Sequence, residues 1–435
     1  MLRDKQHIVR TYIIVTAFLF LSEAGIIRFL MIPRLLFLSK VKGLYRFCDV
    51  LFFTGMVLLL GCIAVWCISH HINKGMKYAV YHARLMRKVR KSLKNAGYYM
   101  EEYFRGERVA VLPKIKIEMD DSLLTGKVII ENHIKLDKKL EDVNISSALG
   151  KYIVKQQYIS EDENEYVFQF EDASVDTQLV FDSYKDFCMY AKKVGDYTLF
   201  TDAKTKVPLT HLLLVGATGS GKTYSLYTLI LTMLNWSVKP NLFFADPKNS
   251  SLVVLGNRID SQNTAGTIEE IIALLERFHE QMQERKTEIK ERLNEKLDAD
   301  YRFWNLPANV LIIDEYSGFQ SAVNIMDKKT RDRISMLIRD IVLQGRQLGF
   351  FLWIVMQKSD ASDLSTNTRS NLLWKVVLGN ATRTTYQTAF EESANLPVRN
   401  FKQGQGLYSY QGITREPETT SFPTLHFDIL NSISL

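Results

Sequence analysis

Residues 216–223 read GATGSGKT and satisfy the pattern GxxxxGK[ST]. Each residue type in it has a chemical reason. The glycines let the backbone of Gly216, Ala217, Thr218, Gly219, Ser220 and Gly221 curl so that its N–H groups face phosphate oxygens, and the following helix start adds positive potential. Lys222 is placed to neutralise β- and γ-phosphate oxygens, and Thr223 to offer its hydroxyl to magnesium. The motif follows an apolar run, HLLLV, and precedes a helical pattern over 224–234, as this chemistry requires.

A second acidic element completes the set. NVLIIDEY at 309–316 puts Asp314 at the end of an apolar strand, where it would hold the magnesium shell. The adjacent Glu315 is placed to orient or deprotonate an attacking water. The pair implies hydrolysis rather than simple nucleotide sensing. Gln357 closes a later apolar strand and would face the γ-phosphate. Arg346, in QGRQLG, reads either as an arginine reaching a neighbouring subunit's nucleotide or as an exposed salt-bridging residue. Asp246-Pro247-Lys248 ends another strand, as a catalytic-edge segment or a surface turn, with Lys248 a contact at most.

The elements that must position these residues alternate as strand and helix from His211 onward. HLLLVGA, NLFFADP (241–247), NVLIID (309–314), FFLWIVMQ (350–357) and WKVVLGN (374–380) read as five strands of a parallel sheet covered by helices. A long charged helix over 267–297, with Ile271, Leu274, Leu275 and Phe278 on one side, packs one face only. Short β-like runs at 108–119, 126–136, 151–159 and 165–172, with a helical stretch around Leu140 to Leu149, predict a small α+β domain within 100–200. No chemistry is legible in that domain, which reads as a spacing, oligomerising or docking element.

The N-terminal region has a different composition. Val50 to Ser69 contains no charged residue across its 20 positions, long enough to cross a hydrocarbon core of about 30 Å. An earlier run, Tyr12 to Ile32, is interrupted by Glu23 and Arg28. It reads as a first spanning helix whose charges pair across a bundle or snorkel, against the rival of an interfacial helix with the N-terminus outside. The chain carries a formal net charge of +7, but residues 1–100 hold 16 Lys and Arg against 3 Asp and Glu, which leaves the remainder net acidic. Basic residues from Lys74 to Lys94 follow the second apolar run and predict that the C-terminal portion lies inside; Arg34, Lys40, Lys42 and Arg46 in the connecting loop work against that asymmetry. The Lys74–Lys94 block binds anionic lipid or forms a solvated helix face. The expected organisation is a membrane anchor over 1–95 with two transmembrane helices, the α+β domain, and an α/β domain over 201–435. The four cysteines show neither metal-ligand spacing nor a disulfide framework.

HLLLVGATGSGKT, FFADPKNSS, VLIIDEY and GRQLGFFLWIVMQKSD together resemble the FtsK/SpoIIIE family of membrane-anchored DNA translocases, in order and spacing throughout 205–412. Met356-Gln357 departs from that family's Thr-Gln only at the methionine, and GQGLYSYQG at 404–412 looks like its final strand region. Within the family the chain looks most like the coupling ATPases of conjugative plasmids and integrative elements of Gram-positive bacteria. The resemblance implies a RecA-like P-loop NTPase motor that uses ATP and Mg2+. It implies a homo-hexameric ring at the cell membrane, with the motor in the cytoplasm and DNA, single- or double-stranded, in the channel. A relaxase and conjugation channel proteins are the implied partners. Only 23 residues follow Gly412, too few for the winged-helix DNA reader of segregation members. Lys328, Lys329, Arg331 and Arg333 read as DNA contacts or as a solvated face. A protein-secretion ATPase and a segregation pump are the competing expectations.

Overall fold

In a computed structural model, the described residues are 3–31, 41–136, 145–172, 177–359, 364–390, 396 and 400–433. Arg34, Lys40 and the first half of the helical stretch expected from Leu140 fall outside them. The chain divides into two units, Met1–Val175 and Asp176–Leu435.

The first unit begins with two apolar helices, α1 (Lys5–Ile26) and α2 (Val41–Ser69). A π-turn, Ile27–Met31, extends the first. Stretches Lys5–Leu30 and Gly43–Ser69 are each long and apolar enough to cross a membrane, and only 11% and 6% of their most apolar windows are buried. That exposure separates them from the core helix of a water-soluble domain, whose apolar residues would be covered. They pack antiparallel through small residues: a Cβ on Gly55 would lie 2.9 Å from Leu21 and 3.1 Å from the Ala17 carbonyl oxygen. Arg28 pairs across the hairpin with Asp49 of α2 at 2.9 Å.

Next comes α3 (Met76–Asn95), whose Tyr78, His82, Leu85, Val89 and Leu93 form one buried stripe. The stripe shares a core with Val128, Ile130, Phe168 and Phe170 of an antiparallel sheet. The strands are β1 (Arg3–Asp4), β2 (Met100–Phe104), β3 (Glu107–Val111), β4 (Ile115–Met119), β5 (Thr125–Glu131), β6 (Tyr152–Ile159) and β7 (Glu165–Asp172), with a short helix α4 (Ser146–Leu149) before β6. They form one sheet of order β1-β3-β2 and another of order β4-β5-β7-β6. The single run expected over 108–119 is two strands in different sheets, interrupted at Pro113, which has no N–H for a ladder.

The second unit starts earlier than residue 201. Phe181 of β8 (Val180–Phe181), Phe187 and Ala191 of α5 (Tyr184–Val194), and Leu199 and Phe200 of β9 (Thr198–Phe200) pack in the same core as the phosphate-loop strand. β9 pairs with β10 (Lys206–Pro208). The main sheet then comprises β11 (Leu212–Gly216), β12 (Asn241–Ala245), β13 (Thr264–Ala265), β14 (Asn309–Ile313), β15 (Phe350–Met356), β16 (Trp374–Leu378), β17 (Gln405–Tyr410) and β18 (Glu418–Ser421). Its order is β13-β12-β14-β15-β11-β16-β17-β18. The first six are parallel; β17 and β18 are antiparallel additions. A last short strand, β19 (Thr424–Leu425), returns to β8. Helices α6 (Lys222–Leu234), α7 (Ser251–Asp260), α8 (Ile268–Arg292), α9 (Tyr316–Asn324), α10 (Lys328–Leu348), α11 (Thr366–Asn371) and α12 (Arg383–Phe390) connect the strands, and α13 (Ile429–Ser432) ends the unit.

The five strands read from the sequence are β11, β12, β14, β15 and β16, and every residue of β11, β14, β15 and β16 is buried. A strand buried on both faces is a continuous apolar run, and each such Leu, Ile, Val or Phe contributes about 2 kcal/mol of transfer free energy. Because all the parallel strands point the same way, the residues that follow them collect on one edge.

Candidate functional site

The phosphate loop begins where β11 stops. A Cβ on Gly216 would press on the Ser220 hydroxyl and lie 3.3 Å from Leu378 Cβ, so glycine gives the turn room to close. Gly219 and Gly221 hold φ of +83° and +97°, a backbone region that other residues reach at a cost. The turn is tied by the Ser220 N–H donating to the Ala217 carbonyl at 3.0 Å. It exposes Ala217, Thr218 and Gly219 and delivers Lys222 and Thr223, both half-buried, at the start of α6.

β14 delivers the acidic pair. The Asp314 N–H donates to the Ala245 carbonyl of β12 at 2.9 Å, and the Glu315 N–H donates back to Asp314 Oδ1 at 2.9 Å. Lys222 Nζ lies 3.4 Å from Asp314 Oδ1 and 3.8 Å from Glu315 Oε2. Glu315 also receives Lys248 Nζ at 3.0 Å and Gln357 Nε2 at 3.3 Å. Five residues from the ends of β11, β12, β14 and β15 therefore meet at one carboxylate pair. Burial pushes the Asp314 carboxyl upward and nearby Asp246 adds to that, while Lys222 and the Glu315 N–H pull it back, with the upward direction prevailing. A carboxylate so buried is stabilised by a nearby cation.

Glu315 itself has φ of +49°, a left-handed conformation rare for a residue with a side chain. The strand ends there and α9 starts at the next residue. Such strain persists where surrounding contacts hold it, and here Lys248, Gln357 and Lys222 all do.

The residues fit a magnesium nucleoside triphosphate. The Ser220 hydroxyl oxygen is buried without a hydrogen-bond partner, and the glycine-built turn leaves no Cβ in the way of an anion. Thr223 and Asp314 supply hard oxygen donors of the kind magnesium takes.

Two sequence-singled residues have other places. Asp246 is buried and accepts from the Lys248 and Ser250 N–H groups at 2.9 Å each, so it shapes the turn that aims Lys248 at Glu315. Arg346 lies in the last turn of α10, four residues before β15 begins, and Gln357 follows β15. It is exposed and stands at the opposite sheet edge from Gln357, outside the site of its own chain.

Gly404 was not visible as a site residue. Its N–H donates to the Ser220 carbonyl at 2.8 Å, and a Cβ on Gly221 would come within 2.6 Å of the Gly404 nitrogen. Gln403 and Gly404, just before β17, thus lean on the back of the phosphate loop. GQG at 404–406 was the only sequence signal for it.

A phosphate loop on one inner strand of a parallel sheet, facing an Asp-Glu pair on another, defines an NTPase of the P-loop class. Residues 181–342 match the FtsK/SpoIIIE family model. The FtsK domain-containing protein YdcQ of Bacillus subtilis (strain 168) is 30% identical over 202 residues, covering 46% of this chain and 40% of that protein. The chain thus matches less than half the length of that relative. Among solved structures, the pCW3 conjugation coupling protein TcpA, in a monomer form with ATPγS, is similar with 15% identity and a TM-score of 0.47, over 80% of this chain and 98% of that one. The cytoplasmic domain of EssC is similar with 16% identity and a TM-score of 0.44, over 58% and 48%.

Proposed function

We propose that this chain is a membrane-anchored, ATP-driven DNA translocase that acts as a coupling protein, delivering DNA to a conjugative transfer channel. The observation that carries the reading is the convergence of Lys222, Asp314, Glu315, Lys248 and Gln357 at one edge of an FtsK/SpoIIIE-type domain. The apolar hairpin α1–α2 supports the anchor.

In this reading ATP and Mg2+ supply the phosphoanhydride bond and the charge that holds its oxygens. The backbone N–H groups of 217–223 bind the phosphates, and Lys222 leaves the carboxylates to meet the β- and γ-oxygens. Thr223 and Asp314 would hold the magnesium, which would supply charge to the phosphate oxygens. Glu315, turned into place by its left-handed backbone, orients the attacking water and takes its proton. Gln357 and Lys248 hold the Glu315 carboxylate, and Gln357 is positioned to report on the γ-phosphate through it. Arg346, at the opposite edge, acts on a neighbouring subunit in a homo-hexameric ring, and Lys328 and Lys329 are exposed for backbone contact with DNA. A relaxase would supply target choice.

The test is ATP turnover of the full chain in detergent or nanodiscs, with and without DNA. Turnover is expected to rise several-fold on adding DNA, with single- and double-stranded forms compared. An intact oligomer that hydrolyses ATP, binds no DNA and responds instead to an exported polypeptide would replace this reading with a protein-secretion ATPase.

A further inference from the structure

We propose that the first unit holds a site for one anionic phospholipid, with its phosphate in a basic cavity at the foot of the α1–α2 hairpin and an acyl chain in the apolar groove beside it. The cavity, about 980 Å³, is lined by Arg10, Arg87, Arg90, Lys91, Lys94 and Lys114. Asp4 is its only acidic lining residue, and Asp4 is occupied by Arg90 at 2.9 Å. Among the described residues the other five cations have no acidic partner. Five unneutralised charges around one concavity repel each other unless an anion enters.

The geometry follows from α3. Arg87, Arg90, Lys91 and Lys94 are spaced i, i+3, i+4 and i+7 and share one helix face, while Leu85, Val89 and Leu93 bury the other face in the domain core. Arg10 comes from the first turns of α1, Trp66 from the end of α2, and His70 from the turn just after it. The cations therefore ring the ends of two helices whose sides are apolar and exposed, at the level where a bilayer has its headgroups.

A second cavity, of about 570 Å³, selects a lipid over a soluble anion. It runs along the hairpin between Ile13 and Ile14 of α1 and Val57, Leu58, Leu59 and Val65 of α2. Arg10 and Trp66 line both cavities, so the two adjoin. A ligand with a charged head and a hydrocarbon tail matches the pair; a free phosphate or an oligonucleotide matches only the first.

The proposal rests on the hairpin crossing a bilayer, and the experiment separates that premise from the site. The full chain is reconstituted in phosphatidylcholine vesicles, and tryptophan fluorescence is followed as brominated phosphatidylglycerol or brominated phosphatidylcholine is added. Of the five tryptophans only Trp66 lies in the first unit. Half-maximal quenching is expected at a mole fraction about fivefold lower for phosphatidylglycerol or better, the scale of one cation–headgroup contact. The variant Arg87→Ala/Lys91→Ala/Lys94→Ala should lose that preference. Arg84→Ala/Lys88→Ala, on the same helix but outside the cavity, should keep it. Loss in both variants would reduce the effect to general surface charge and overturn the site, as would equal quenching by the two lipids. Displacement by inorganic phosphate or a short oligonucleotide, at ionic strength matched with sodium chloride, would assign the cavity to a soluble anion. Absence of quenching by either lipid would overturn the spanning premise itself. The Arg87→Lys variant, which keeps the charge, should retain the preference and controls for folding.

Discussion

Lys222 lies within ion-pair reach of both Asp314 and Glu315, so one cation balances the two groups the chemistry needs. Lys222→Ala should lower ATP turnover by about a hundredfold or more, the range for removing a charge aimed at a transferring phosphoryl group. Phosphate release measured beside nucleotide binding checks this, and normal turnover would remove Lys222 from the site. Glu315→Gln keeps the shape, can accept from only one of Lys248 and Gln357, and cannot take a proton. Binding of ATP should survive while hydrolysis falls by about 10²-fold or more. Gly221→Ala places a methyl against the Gly404 nitrogen in a left-handed backbone. A loss of nucleotide affinity with unchanged secondary structure is the expected result. Unchanged affinity would mean the 401–404 segment yields freely.

At the scale of elements, packing decides how close a helix comes. A Cβ on Gly345 of α10 would meet the Phe350 carbonyl oxygen at 2.2 Å, so Gly345→Val should destabilise the second unit by roughly 2 kcal/mol or more through overpacking. Chemical denaturation of the second unit measures it. The joint between α2 and α3 carries a pH dependence. His82 Nε2 lies 3.1 Å from the Ile117 carbonyl, which only accepts, so neutral His82 has its lone pair on Nδ1 and accepts from His70 Nδ1 at 2.8 Å. Burial first, then His82, Arg10 and His71, lower the His70 pKa from 6.5 to about 4, and burial lowers His82 as well. The groups facing the pair are His71, Tyr78 and Trp66 besides Arg10. Since the folded value is depressed, the unfolded chain binds more protons between the two values. The contribution to stability is complete above about pH 6.5 and is lost as pH falls toward 4. Thermal unfolding of the first unit should shift down over that window, and His70→Gln should flatten the shift.

For the whole molecule, the second unit owns residues 176–200, because Phe181, Phe187 and Phe200 are core side chains of the main sheet's unit. Arg346 and Gln357 stand at opposite ends of β15, so the proposed action of the arginine on a neighbouring subunit is tested on an assembly. Arg346→Ala should leave nucleotide binding by an isolated chain unchanged and lower turnover of the oligomer. Mixing Arg346→Ala with Lys222→Ala subunits should restore part of the activity, because each interface then can combine one intact half from each. Failure to complement, with assembly verified by light scattering, would confine Arg346 to the surface.

GATGSGKT, the Asp314-Glu315 pair and the two apolar helices were legible in the sequence because each is a contiguous signal, carried by local backbone needs or by hydropathy alone. The sequence also determined the five inner strands, since strands buried on both faces are mainly apolar runs, here with Lys375 and Asn309 as buried polar members. Their order in space was decided only by tertiary packing. It is the order β12-β14-β15-β11-β16 that brings Lys222, Lys248, Glu315 and Gln357 to one point. The left-handed Glu315, the turn-forming role of Asp246 and the contact of Gly404 with the phosphate loop depend on neighbours distant in sequence. So does the basic cavity: one run showed the cations of α3, but only the fold set Arg10, Lys114 and Trp66 beside them. Spacing along a chain encodes what a segment can do; which segments meet is settled by the burial of their shared apolar faces.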